Sequence, residues 1–170
     1  ADPCAHPEDH AIEVQLPFIK YLFPDAKIVP IVVPARQNAV ELGSAVADIV
    51  AEENDKNIVS VASTDLTHYG PHYGYTPMGF SEKGVKWAKE VNDQQVIDLI
   101  LKLDVHPIVP TAVENSSACG PGAVAAAAAA ARKLGAKKPV LLAHATSSEI
   151  MQYKMGRSSS DSVGYAAIVM

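Results

Sequence analysis

Apolar residues return every three or four positions at Ile12, Leu16, Ile19 and Phe23, which predicts a helix over about 10–23. Asp9 stands where an N-cap belongs, Pro17 kinks the pattern or opens a new segment, and Pro24 with Asp25 closes it. Residues 27–33 are short and β-branched and read as a buried strand, which Pro30 demotes to an edge or a strand with a broken ladder. A second helix is predicted over 39–53, with Asn38 as its cap and Val40, Ala47 and Val50 on its inner side. Asn54-Asp55-Lys56-Asn57 is a turn, and 58–62 is a strand that no proline interrupts. A loop then runs over 63–79, rich in glycine, proline, tyrosine and histidine, and long loops of this kind often carry function.

The pattern becomes helical again over 81–103, with Val85, Ala88, Val91, Val96, Leu99, Ile100 and Leu103 as its apolar face and a break near Asn92-Asp93. Residues 106–118 are irregular or hold a short helix. Residues 120–134 form a helix that is nearly all alanine, with Gly135 as its C′ residue; small side chains let such a helix lie close to a neighbouring layer. A strand over 139–143, a polar loop over 146–161 and a last strand over 163–169 complete the chain. Alternating strands and helices argue for a layered α/β fold around a central sheet. The length of 170 residues fits one domain, 1–170.

Composition narrows the function classes. With 48% hydrophobic and 19% charged residues the chain has the means to build a core. A net charge of −5 argues against a nucleic-acid binder that works by neutralising phosphates. No run of 18 apolar residues occurs, so no transmembrane helix and no membrane partner are expected. Two cysteines, Cys4 and Cys119, make no disulfide framework, and the default compartment is cytoplasmic. Phosphate loops, dinucleotide-binding glycine motifs and Cys-x-x-Cys pairs are all missing from the sequence.

Three segments can carry chemistry. Ser63-Thr64-Asp65-Leu66-Thr67-His68-Tyr69-Gly70 follows the cleanest predicted strand, where ligands bind in open α/β sheets. Asp65 and His68 there can act as an acid/base pair or as metal ligands; equally, the Asp can cap a turn and the His bond to backbone. Cys119 falls just before the alanine helix, with Pro121 near its first position. A helix start favours thiolate, the form that attacks electrophiles and binds metals, although most free cysteines are simply small buried residues. His10 and Glu13 share one helical face, as a catalytic pair or as an ordinary surface pair. Of the other histidines, His144 at a strand end is the best placed for a site, while His6, His72 and His106 read as surface or structural residues. Trp87 reads as core.

Asp9-His10-Ala11-Ile12-Glu13-Val14-Gln15-Leu16-Pro17, the segment from Ser63 to Gly70, Ser117-Ala118-Cys119-Gly120 and Ser162-Val163-Gly164-Tyr165-Ala166-Ala167 occur in the order found in the Memo family, the middle partner (system protein B) of the AmmeMemoRadiSam grouping. By these four segments the chain resembles that family. The resemblance implies a layered α/β domain with a central mixed β-sheet flanked by helices, similar to the class III extradiol dioxygenases. It implies a non-haem metal site using iron or copper, with zinc as a third candidate, and redox or dioxygenase-like activity. Cys119 falls on the family's metal-ligating cysteine, Asp65 and His68 on its Asp-x-x-His segment, and His10 on its His-x-x-Glu segment.

The resemblance further places two metal-ligating histidines in an N-terminal portion that this sequence lacks. A second chain or that portion is therefore expected to complete the site, and an apolar face or sheet edge is expected to stand exposed. Small molecules and peptides are both candidate partners, since some Memo-type proteins are regarded as adaptors for phosphorylated partners. In a binding-module reading Tyr69, Tyr73 and Tyr75 supply contacts; in a thiol-enzyme reading Cys119 is the nucleophile and His68 its base.

Overall fold

The computed structural model describes residues 10–53 and 58–170. The Asp9 cap, the turn at 54–57, Cys4 and His6 lie outside the described residues. The first predicted helix is two short pieces, α1 (His10–Glu13) and α2 (Leu16–Leu22), separated just before Pro17. Proline cannot donate its backbone nitrogen and fits the first turn of a helix, so Pro17 starts α2.

Both early predicted strands are absent. Residues 27–33 and 58–62 carry no ladder hydrogen bonds, and Val29 and Val59 are 83% and 80% exposed. β-branched composition makes a segment fit for a sheet, but a strand exists only with a neighbour to take its N–H and C=O groups, and among the described residues none flanks these two. Phe18, Tyr21, Leu22, Phe23, Ile31 and Val61 are exposed around them.

The core is helical. α3 (Ala39–Glu52) packs along α7 (Pro121–Lys133), and α5 (Asp93–Leu101) and α6 (Ile108–Asn115) close round them. Val96, Ile100, Val105, Ile108, Val109 and Val124 fill the centre together with the alanines of α7. Pro121 opens α7 and Gly135, at φ +98°, ends its last turn in a conformation that L side chains avoid. α7 and α3 approach so closely that a Cβ on Gly43 would fall on the carbonyl of Ala126. Asn38 stands at the start of α3 but its side chain makes no capping bond.

The sheet is small and antiparallel rather than mixed. β3 (Ser162–Val169) lies between β1 (His68–Tyr69) and β2 (Val140–Thr146), with His68 opposite Val163 and His144 opposite Ala166. The predicted polar loop after β2 contains a helix, α8 (Ser147–Met155). Its cap is reciprocal: Glu149 N–H donates to Thr146 Oγ1, and Thr146 N–H donates to the Glu149 carboxylate.

α4 (Glu82–Trp87) runs into a π turn, Ala88–Asn92, and then into α5, so the predicted break at Asn92-Asp93 is a continuous helical path with a wider turn. Trp87 is half-buried against the Tyr69, Val85 and Ala88 cluster. Among the described residues no helix is long and apolar enough to cross a membrane.

Candidate metal centre

Two loops meet at the end of β1. The first carries Asp65 and leads into His68, the first residue of β1; its backbone is drawn to β3 by Leu66 N–H donating to the Gly164 carbonyl (2.9 Å) and Gly164 N–H donating to the Thr67 carbonyl (3.1 Å). The second joins α6 to α7. Ser116 ends α6 at φ +50°, a left-handed turn that is uncommon outside glycine, and sends the chain toward Cys119. Cys119 N–H then donates to the Asp65 carbonyl (3.1 Å), which fastens the two loops together.

Asp65, His68 and Cys119 each offer a ligand atom there, and these atoms all lie within 4.8 Å of one another. His68 Nε2 is 3.3 Å from Asp65 Oδ2. Metal–ligand bonds of about 2.0–2.3 Å at tetrahedral angles separate neighbouring ligand atoms by roughly 3.3–3.7 Å, so the Asp65–His68 pair already stands at ligand spacing. Asp65 N–H donates to Cys119 Sγ (3.3 Å), which suits a sulfur carrying negative charge. Thr64 Oγ1 accepts from Gly120 N–H (2.8 Å), lies 3.6 Å from Cys119 Sγ and donates to the Asp65 carbonyl (2.8 Å). Its single hydroxyl proton serves either the carbonyl or the sulfur.

Tyr73 and His72 stand on a short 3₁₀ turn (Pro71–Tyr73) beside the group; the Tyr73 ring is tilted against His68 at 5.1 Å between centroids. A cavity of about 310 Å³ opens next to Cys119 and His68, walled by Leu66, Tyr73, Tyr75 and Ala118. Burial raises the phenol of Tyr165 on β3 above the usual range, and the negative charge of Asp65 adds to that.

His10 is not in this group. It is an exposed residue whose Nδ1 lies 2.9 Å from Glu13 Oε2. His144 is not there either; its Nε2 lies 2.9 Å from Asp93 Oδ2 in the interior. His72 and His106 are exposed. Tyr69 is fully buried, its hydroxyl donating to the Gly79 carbonyl and accepting from Met78 N–H, so it offers no binding contact. Tyr165, Thr64 and Asp93 were not singled out from the sequence. Thr64 and Tyr165 do lie within two of the quoted segments, and only their tertiary placement gives them a part.

Burial pushes the Asp93 carboxyl above the usual aspartate range, and hydrogen bonds from Thr67 and His144 offset that in part. The folded protein thus holds this proton more tightly than the unfolded chain. Its stabilising contribution is complete below about pH 4 and is lost as pH rises through the raised value. Melting temperatures of the protein and of Asp93→Asn, compared from acid to neutral pH, should show the variant gaining on the native protein as pH rises. A variant that loses ground instead would contradict this sign.

The model of the Memo-like protein family matches residues 1–169. The chain is similar to MEMO1 family proteins of Methanosarcina acetivorans (40% identical over 173 residues), Thermococcus onnurineus (39% over 175) and Methanopyrus kandleri (38% over 172). Each match covers 99% of this chain, and 57%, 58% and 54% of those relatives respectively, so the chain spans under three fifths of their length. With four sequence segments, a mixed α/β fold and a match along its whole length in agreement, the chain belongs to the Memo-like family.

Proposed function

We propose that this protein forms a mononuclear non-haem metal site of redox or dioxygenase-like type, acting on a small molecule held in the cavity beside Cys119. The convergence of the Asp65, His68 and Cys119 ligand atoms within 4.8 Å carries this reading. A thiolate, an imidazole and a carboxylate together suit iron, copper or zinc. Such an ion, when bound, supplies Lewis-acid or one-electron chemistry to a coordinated substrate. Further ligands come from a second chain or from the length of the relatives that this chain does not span. The similarity to the extradiol dioxygenase fold belongs to the same proposal.

The chain's own residues have definite parts. Cys119 holds charge at the site, with Asp65 N–H directed at its sulfur. His68 and Asp65 hold the ion together with Cys119 when it is bound, and in the free site Asp65 Oδ2 fixes the His68 ring. Tyr73 and Tyr75 give the cavity aromatic walls that exclude water from one side. His10, far more exposed, keeps a substrate-orienting part only if the completing portion covers it.

Alkylation by iodoacetamide, read at the Cys119 peptide, tests the proposal. One equivalent of Zn(II) or Fe(II) should slow the reaction at Cys119, and a chelator should restore it. A thiol enzyme with Cys119 as nucleophile predicts fast alkylation that metal does not change, and that result would overturn the metal reading.

A further inference from the structure

The helical path from Glu82 to Leu101 carries its inward stripe through Ala88, then Asn92 and Asp93, then Val96, Ile97 and Ile100. The π turn adds one residue between Ala88 and Asp93, so Val91 faces solvent at 48% exposure and two polar residues go inside. π turns cost hydrogen-bond geometry and recur where a helix must present particular side chains.

Both polar residues are fully used. Asp93 Oδ1 accepts from Thr67 N–H (2.9 Å), and Asn92 Nδ2 donates to Thr67 Oγ1 (3.1 Å) and to the Asn115 carbonyl (2.9 Å). Gln95 donates to Asn92 Oδ1 (3.1 Å), which fixes the way the amide points. On the other side, Asp93 Oδ2 meets His144 on β2, and a Cβ on Gly164 would occupy the place of that carboxylate oxygen. Thr67 stands between Asp65 and His68, and Asn115 stands four residues before Cys119. One short stretch of helix therefore grips Thr67, between two candidate ligands, and the end of α6, from which the chain runs to the third.

We propose that Asn92 and Asp93, presented by the π turn, are positioning residues that set the spacing of Asp65 and His68 against Cys119 and so tune metal affinity. This rests on the metal reading for its last step only. In the intact protein, Asn92→Ala should bind Co(II) about tenfold or more weakly, the size expected for losing a group that orients ligands. Ile97→Ala, an apolar core change on the same helix, should destabilise the fold and leave Co(II) affinity unchanged. Thr67→Ser, which keeps the hydroxyl, should retain affinity, and Thr67→Val should lose it; this pair decides the matter if Asn92→Ala does not fold.

Equal weakening by Ile97→Ala, or native affinity in both Asn92→Ala and Thr67→Val, would overturn the proposal. If the native protein takes up no Co(II), the metal reading fails, and hydrogen exchange at 64–68 and 115–119 in metal-free protein decides the positioning claim. There Asn92→Ala, or Thr67→Val in its place, should accelerate both loops together while Ile97→Ala does not, and unchanged loops would refute it.

Discussion

Cys119→Ala should weaken binding of divalent metal by at least about a hundredfold, because losing even an outer-shell partner of a ligand commonly costs 10–100-fold. The sulfur is the soft donor of the group; without it an imidazole and a carboxylate remain. The fold should hardly notice. The side chain is exposed, and although alanine gives up the bond from Asp65 N–H to Sγ, the loops stay tied by Cys119 N–H to the Asp65 carbonyl and by Gly120 N–H to Thr64 Oγ1. A Co(II) titration should show the thiolate-to-metal absorption disappear while the melting temperature stays put. Native affinity in the variant would remove Cys119 from the site.

Gly43→Ala should destabilise the protein by about 3 kcal/mol, at the upper end of the cost of overpacking a close-packed interior. For a chain of this size that lowers the melting temperature by roughly 6–12 °C. Two effects compete. In an exposed helix alanine is better than glycine by about 1 kcal/mol. At Gly43, however, the new methyl group would meet the carbonyl of Ala126, which is backbone and has no rotamer to escape through. α3 and α7 would have to part, loosening Ala39, Val40 and Ala47 against Ala125, Ala128 and Ala129. Thermal denaturation decides the sign. A rise in melting temperature would mean that helix propensity wins and that the helices have room.

Elements that declare themselves locally were legible in the sequence. α3 has its periodic apolar face, α7 its alanines between Pro121 and Gly135, and β3 its uninterrupted apolar run. Residues 27–33 and 58–62 were misread because β-propensity describes a surface that suits a sheet, while the ladder depends on a neighbour elsewhere in space. α8 was missed although Thr146-Ser147-Ser148-Glu149 spells a capping box; its polar composition masked the signal. The five-residue step from Ala88 to Asp93 hid the π turn, and Asn92-Asp93 looked like a break because polar residues rarely sit inside a helix core.

At the site, Asp65 and His68 could be named from one short segment, and Cys119 from its place before a helix. Their meeting is a tertiary fact, set by β3 and by one backbone hydrogen bond across 54 residues of sequence. The pairing of His144 with Asp93 was not legible for the same reason: nothing local joins β2 to α5.

The alanines of α7 also bear on how the gene can drift. An alanine codon reaches threonine, serine, proline, valine, glycine and aspartate or glutamate by one base change. At the buried positions Ala125, Ala128, Ala129 and Ala130, valine and threonine would push extra atoms into a close-packed interior. An acid would carry its charge inside, proline would break the helix, and glycine would loosen it by about 1 kcal/mol. Serine is the one mild exit, since its hydroxyl can bond back to the preceding turn. The inner face of this helix therefore has almost no neutral neighbours in sequence space, and single-base variants there should be purged far more often than those at the exposed Val91 or Leu142.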